Sequence, residues 1–206
     1  MSTKRESMHK VVVYLIDSSQ IQINEKKVLQ SLSSSQIEKA KSLKKRQDYL
    51  NSLASSYLKN LCHANVVYGK QNDDGKYTNI SHSHNYTCLA LSSCPIGIDL
   101  QYTKEFEKGH DFISNFANRI CTSTELEMVK SPHDLCTIWT LKESLLKCLT
   151  CGIDRDLKSV PALPIGIKQY MGQTYFCKSK DIDDYVLTIT CKTDENFIIE
   201  IIKQKV

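Results

Sequence analysis

The sequence predicts an α+β fold made of two similar lobes, residues 1–100 and 101–206. Three observations carry this. The chain has 206 residues, enough for two units of about 100 residues each. Strand-like and helix-like patterns alternate twice along it. Hairpin-length and crossover-length connections are mixed, and no short period points to a solenoid. A duplicated split-βαβ (ferredoxin-like) arrangement fits that order, although periodicity alone does not select it.

The elements follow in order. Residues 11–16 are apolar and mostly β-branched, the pattern of a buried strand, and a polar connection follows. From Ser35, a candidate cap, Ile37, Ala40, Leu43, Leu50, Leu53, Ala54, Tyr57, Leu58 and Leu61 recur at helical spacing and predict one long amphipathic helix. Its outer face is basic, with Lys39, Lys41, Lys44, Lys45 and Arg46 close together. A turn cluster at residues 72–75 precedes strands predicted at 77–81, 86–91 and 96–100. Helical patterns then cover 111–119, 124–130 and 133–151, and strands return at 186–191 and 197–202.

Composition excludes several classes. Hydrophobic residues at 41% and only 7 Gly and 4 Pro rule out a disordered or collagen-like chain. Residues 1–10 are polar and the apolar run after them is too short for a signal segment or a membrane span, so a cytoplasmic, non-membrane protein is expected. Nine cysteines, an odd number without framework spacing, read as reduced thiols, and the lone Cys148-Leu-Thr-Cys151 pair lacks the second pair of a zinc site. The net charge of +4 is uneven: residues 1–100 carry 13 basic and 8 acidic groups, residues 101–206 carry 14 and 15. Positive charge therefore concentrates in the first half, but without an RNA- or DNA-binding signature and with 8% aromatic residues it does not indicate a nucleic-acid partner.

Three strings could carry chemistry. In the helix Trp139-Thr-Leu-Lys142-Glu143-Ser-Leu-Leu-Lys147, positions 139, 143 and 147 share one face and bring a carboxylate beside an ammonium. As a solvated pair they would be worth only a few tenths of a kcal/mol. In Pro95-Ile96-Gly97-Ile98-Asp99-Leu100-Gln101 an apolar strand carries one aspartate, a suitable oxygen ligand, and Gly97 permits close approach of another backbone or a ligand. In Ser81-His82-Ser83-His84, hydroxyls and imidazoles suit phosphate contacts, as they also suit an ordinary turn.

In this order the strings Ser81-His82-Ser83, Gly97-Ile98-Asp99 and Trp139-xx-Lys142-Glu143-xxx-Lys147 resemble the 4′-phosphopantetheinyl transferase superfamily, particularly its longer Sfp-type, two-lobe members. The resemblance runs from about residue 33 to about 160. It implies that fold, with the site between the lobes, and transfer of the 4′-phosphopantetheine arm of coenzyme A to a serine of an apo carrier protein. By position it implies Asp99 and Glu143 as ligands of Mg²⁺ or Mn²⁺, with Asp99, Glu143 and Lys147 catalytic. Lys142, Lys147, Ser81 and His82 would contact the phosphates of coenzyme A. Lys39 would grip the 3′-phosphate, and Lys70 or, on a competing alignment, Lys76 would meet the nucleotide. Asn51 stands where relatives carry an arginine, leaving that corner to Lys44 or Arg46. Gln101 replaces a third metal-site acid, so an amide oxygen or a water would complete the metal site. Glu125 aligns with a family glutamate, and also reads as a first-turn acid favoured by the helix dipole.

With Ser81, His82 and Asp99 in the first lobe and Glu143 and Lys147 in the second, the site needs both, and a monomer is expected. The partners implied are coenzyme A and acidic carrier proteins, with apolar positions within 112–120 shaping the docking surface. A non-catalytic relative that binds coenzyme A or a carrier protein is the alternative, distinguished by whether an incubated carrier gains the whole arm.

Overall fold

The computed structural model describes residues 9–64, 69–150, 156–162 and 165–206. It contains two four-stranded sheets, each with a helix layer on its outer face. Strand β1 (His9–Asp17) leads into two short helices, α1 (Ser18–Ile23) and α2 (Glu25–Gln30), then α3 (Ser34–Lys41) and α4 (Arg46–Leu61). Strands β2 (Tyr77–Ser83), β3 (Tyr86–Ser92) and β4 (Ile96–Tyr102) follow. Helices α5 (His110–Ile120), α6 (Ser123–Met128) and α7 (Pro132–Cys148) precede β5 (Gly166–Tyr170), β6 (Gln173–Ile182), β7 (Tyr185–Cys191) and β8 (Phe197–Lys203).

The strand orders are β2-β3-β1-β8 and β4-β7-β6-β5. In the first sheet β3 is antiparallel to both β1 and β2, so β1 and β2 run parallel with β3 between them. The second sheet repeats this with β7 between β4 and β6. Each half is thus a split βαβ unit, the arrangement that fits the alternation of patterns.

The sheets do not divide at residue 100. β4 pairs with β7 in the second sheet, and β8 returns to pair in parallel with β1 in the first. Sheet membership therefore changes at residues 93–95 and again between 191 and 197. Asp99 belongs to the second unit, beside Glu143 and Lys147, because the first unit completes its own hairpin at Ser92.

Val11, Val13, Leu15, Cys88 and Ala90 of the first sheet meet Ile96, Ile98, Leu100, Leu187 and Ile189 of the second in one shared core. On the outer faces, Leu50, Leu53, Ala54 and Leu58 of α4 cover the first sheet, while Leu135, Leu141 and Leu145 of α7 belong to the core over the second. Alternation along β4 turns Ile96, Ile98 and Leu100 inward and leaves Gly97 and Asp99 facing α7. A Cβ at Gly97 would collide with the Ser144 carbonyl oxygen and the Cys148 amide nitrogen, so only glycine lets α7 lie this close to β4.

Several elements differ from expectation. The long helix is two, because the Ser42 hydroxyl donates to the Lys39 carbonyl (2.8 Å) and closes α3. Its cap is Ser33, which forms a reciprocal box with Gln36, rather than Ser35. The polar connection after β1 holds α1, capped by Asp17, and α2, anchored by buried Ile21 and Val28. The β5–β6 hairpin was not anticipated. Its turn, Met171-Gly172, has positive φ at both residues, and polar Lys168, Gln169, Lys178 and Lys180 mask its strand pattern.

Candidate active site

Side chains of β2 hold the edge of β4. Asn79 Oδ1, Ser81 Oγ and Ser83 Oγ accept from the amides of Ile98 (3.3 Å), Leu100 (3.2 Å) and Tyr102 (3.0 Å). This ladder, repeating every second residue, replaces the backbone partner that β4 lacks on that side, and it fixes Asp99 on the face of β4 turned to α7. Ser81 Oγ also donates to Asp99 Oδ1 (2.9 Å).

From the other side, α7 contributes Glu143 and Lys147, one turn apart on one face. Lys147 Nζ donates to Asp99 Oδ1 (2.7 Å) and Ser81 Oγ (3.0 Å). Asp99 and Glu143 are buried, yet Asp99 Oδ2 and Glu143 Oε1 have no partner. Burial, reinforced by the Asp99 charge, pushes Glu143 up to about 7 against the pull of Lys147. Burial also lifts Asp99 above the usual carboxylate range, with Lys147 and Ser81 opposing. Burial disfavours the Lys147 charge, but Asp99 and Glu143 outweigh it and hold its pKa above the ordinary value. Two buried carboxylates with free oxygens are an unstable arrangement alone. They fit a hard divalent cation such as Mg²⁺, which takes oxygen ligands and would complete both groups.

Lys142 is not part of this cluster. Its fully buried ammonium donates to Glu125 Oε2 (2.8 Å) and to the carbonyls of Leu157 and Val160 (2.9 Å each). One residue before Glu143 on a helix points about 100° away, and here that direction is the protein interior. The expected phosphate contact by Lys142 is therefore corrected: the side chain has no exposed surface. Its partner Glu125 boxes the start of α6 with Thr122 and accepts from the Ala162 amide (3.0 Å). Burial would raise Glu125, but Lys142 and the two amides hold it below the usual range. Glu125 acts in the fold, as a first-turn acid of α6.

Gln101 follows Asp99 on the same face of β4. With its amide oriented to satisfy both ends, it donates to Ser83 Oγ (2.8 Å) and the Leu100 carbonyl (3.3 Å) and accepts from Trp139 Nε1 (3.1 Å). Its oxygen thus joins β4 to α7 through the indole, a use competing with the expected metal contact.

His82 alternates with Ser81 and Ser83 and faces α4 instead. It lines a cleft of about 340 Å³ with Lys39, Ser52, Ser55, Ser56 and Lys59. Burial and the nearby Lys147 hold His82 below its ordinary pKa. Burial and Lys39 likewise lower Lys59. The cleft also holds one carboxylate, Asp48, but two lysines, a histidine and three hydroxyls outnumber it and suit a phosphate. Lys39 and His82, both expected to meet phosphate, line this one cleft, and Lys59 joins them without having been expected; the stripe Ser52, Ser55, Ser56, Lys59 along one face of α4 was its signal.

The residues proposed to replace the missing arginine are elsewhere. Arg46 pairs with Glu25 (2.6 Å) and Lys44 is exposed between α3 and α4. Asn51 is buried and donates to the His84 carbonyl (3.1 Å), tying α4 to the β2–β3 turn. Lys70 and Lys76 are both exposed and neither lines the cleft. Cys151, and with it the Cys148–Cys151 pair, falls outside the described residues.

The 4′-phosphopantetheinyl transferase superfamily profile matches residues 95–190, the stretch holding Asp99, Glu143 and Lys147. Among solved structures, a holo-[acyl-carrier-protein] synthase from Neisseria meningitidis is similar, at 23% identity and TM-score 0.35, over 47% of this chain and 94% of that one. No curated protein sequence matches.

Proposed function

With residues 95–190 belonging to the 4′-phosphopantetheinyl transferase superfamily, we propose that this chain moves the 4′-phosphopantetheine arm of coenzyme A to a serine hydroxyl of an apo carrier protein. The observation that carries this reading is the pair of unpartnered buried oxygens, Asp99 Oδ2 and Glu143 Oε1, beside Lys147. Asp99 and Glu143 would hold Mg²⁺, which when bound offsets charge on the diphosphate. Lys147, tethered by Asp99 and Ser81, presents a fixed positive charge to the same phosphates. The cleft of Lys39, Lys59 and His82 receives the 3′-phosphate and orients the nucleotide.

The serine oxygen forms a bond to the β-phosphorus as the bond to the departing phosphate breaks, and adenosine 3′,5′-bisphosphate leaves. Glu143 takes the serine proton. The exposed basic group Lys39, Lys41, Lys44, Lys45 and Arg46 favours acidic carriers. Exposed Phe112 on α5, stacked on Phe116, offers an apolar contact on the second unit. No helix among the described residues is long and apolar enough to cross a membrane. A cytoplasmic monomer is part of the proposal.

The test is a mass spectrum of an apo carrier after incubation with coenzyme A, Mg²⁺ and the protein. The carrier should gain the whole arm, and Glu143→Gln should slow transfer by roughly 10²–10⁴-fold. Unmodified carriers across a panel, or a fully active Glu143→Gln variant, would overturn the assignment.

A further inference from the structure

Both passages between the sheets meet at one place. The chain leaves the first sheet after Ser92 and enters the second at Ile96; it leaves the second at Cys191 and returns at Phe197. Cys94 lies in one passage, Cys191 at the start of the other, and His9 begins the adjoining β1. The imidazole nitrogen and two sulfurs all lie within 4.8 Å of one another.

His9 is already oriented. Its Nε2 faces Cys94 Sγ (3.4 Å) and Ser92 Oγ (3.0 Å), while Nδ1 meets Ser93 Oγ (2.9 Å). A ligating histidine normally has its second nitrogen fixed in this way. Phe197 packs edge-on against the ring, with centroids 6.3 Å apart. A tetrahedral ion bound at about 2.0–2.1 Å to nitrogen and about 2.3 Å to sulfur separates such ligands by roughly 3.6 Å, close to the His9–Cys94 distance. Cys191 is completely buried, so an ion held there would be shielded from water on that side.

We propose that His9, Cys94 and Cys191 bind one Zn²⁺ ion, with Ser92 Oγ or water as the fourth ligand, and so pin both inter-sheet passages. The soft donor set separates this site from the all-oxygen pair at Asp99 and Glu143. Binding breaks the S–H bonds of Cys94 and Cys191, releases the protons to buffer and forms two zinc–thiolate bonds and one zinc–imidazole bond without a redox change. Two thiolates balance the charge of the ion. Because Cys94 immediately precedes the strand carrying Asp99, the ion would hold that strand from its far end.

The experiment uses the full chain, reduced and freed of metal. One equivalent of Co²⁺ should give a sulfur-to-cobalt charge-transfer band with intense tetrahedral d–d absorption, and Zn²⁺ should displace it. Zn²⁺ at a hundredfold excess over Kd should raise Tm by roughly 5–10 °C. Cys94→Ser and His9→Gln should each weaken binding by at least about tenfold, while Cys62→Ser should not. Complete burial of Cys191 makes its replacement a threat to folding, so the half-buried Cys94 and His9 carry the test, with circular dichroism confirming folded variants. Absence of the charge-transfer band overturns the proposal. So does Cys94→Ser binding Co²⁺ with the parent's affinity and band intensity, since Cys94 would then supply none of the sulfur. Failure of carrier modification leaves these spectra unaffected, so this proposal and the transferase reading fail separately.

Discussion

Helix α7 carries two lysines five residues apart, Lys142 fully buried and Lys147 partly buried, and the pairing around them differs. Around Lys142 the polar groups are paired: its ammonium has three acceptors, Glu125 Oε2 meets Lys142 and the Thr122 amide, and Oε1 meets the Ala162 amide. Around Lys147 two carboxylate oxygens are left over. A complete network fixes a structure, whereas an incomplete one keeps a buried cost that a ligand can relieve. The same residue types on the same helix therefore serve the fold on one face and chemistry on the other.

The largest effect should come from breaking the complete network. Lys142→Ala leaves Glu125 buried without its cation, which typically costs about 3–5 kcal/mol. For a chain of this size that lowers Tm by more than roughly 6 °C. Replacing both partners with apolar residues, Lys142→Met with Glu125→Leu, should recover part of the loss, less the bonds Glu125 makes to two amides. Chemical denaturation of the three proteins measures this. If Lys142→Ala instead unfolds like the parent while raising the KM for coenzyme A, Lys142 touches substrate and the contrast collapses.

The incomplete network should respond in the opposite direction. Glu143 has a pKa near 7 when folded and about 4.5 when unfolded, so between those values the folded state holds more protons. Its contribution to stability therefore falls as pH rises from about 4.5 to about 7, by up to about 3 kcal/mol. Glu143→Gln removes that loss: the variant should be more stable than the parent at pH 8 without Mg²⁺, and no different near pH 4. Mg²⁺ should raise the Tm of the parent more at pH 8 than at pH 5.5, and do little for the variant. Equal stability of the two proteins at pH 8 would show that Glu143 is not held at a cost.

These contrasts explain what could be read from the residues alone. The alternation of strand and helix periods made two α+β units legible without selecting their topology, and Asp99, Glu143 and Lys147 stood out through the resemblance of their motifs, since their spacing alone fits an ordinary ion pair and a strand end as well. Sheet membership was not, since Asp99 sits on a strand that follows the first hairpin closely and only pairing with β7 assigns it to the second sheet. Lys142 was misassigned because a motif aligns residues without saying which way a helix turns; burial decides that. Ser81 shows the same limit in a milder form. Its hydroxyl does serve the site, but through Asp99, Lys147 and the Leu100 amide within the protein.

The smallest effect lies at the edge of the incomplete region, where the cleft beside His82 holds Lys39 and Lys59. Lys59 is partly buried, and both burial and Lys39 press it toward neutrality, so a phosphate in the cleft would relieve an existing strain between like charges. Lys59→Ala should raise the KM for coenzyme A by about tenfold while leaving kcat near the parent value, because a contact remote from the reacting phosphorus is uniform binding. Dephospho-coenzyme A, which lacks the 3′-phosphate, should show little change between parent and variant. Paired KM measurements on the two substrates make the distinction. A matching penalty on both would mean that Lys59 supports α4 rather than the phosphate, and the cleft would then join the Lys142 side of the contrast, as part of the fold.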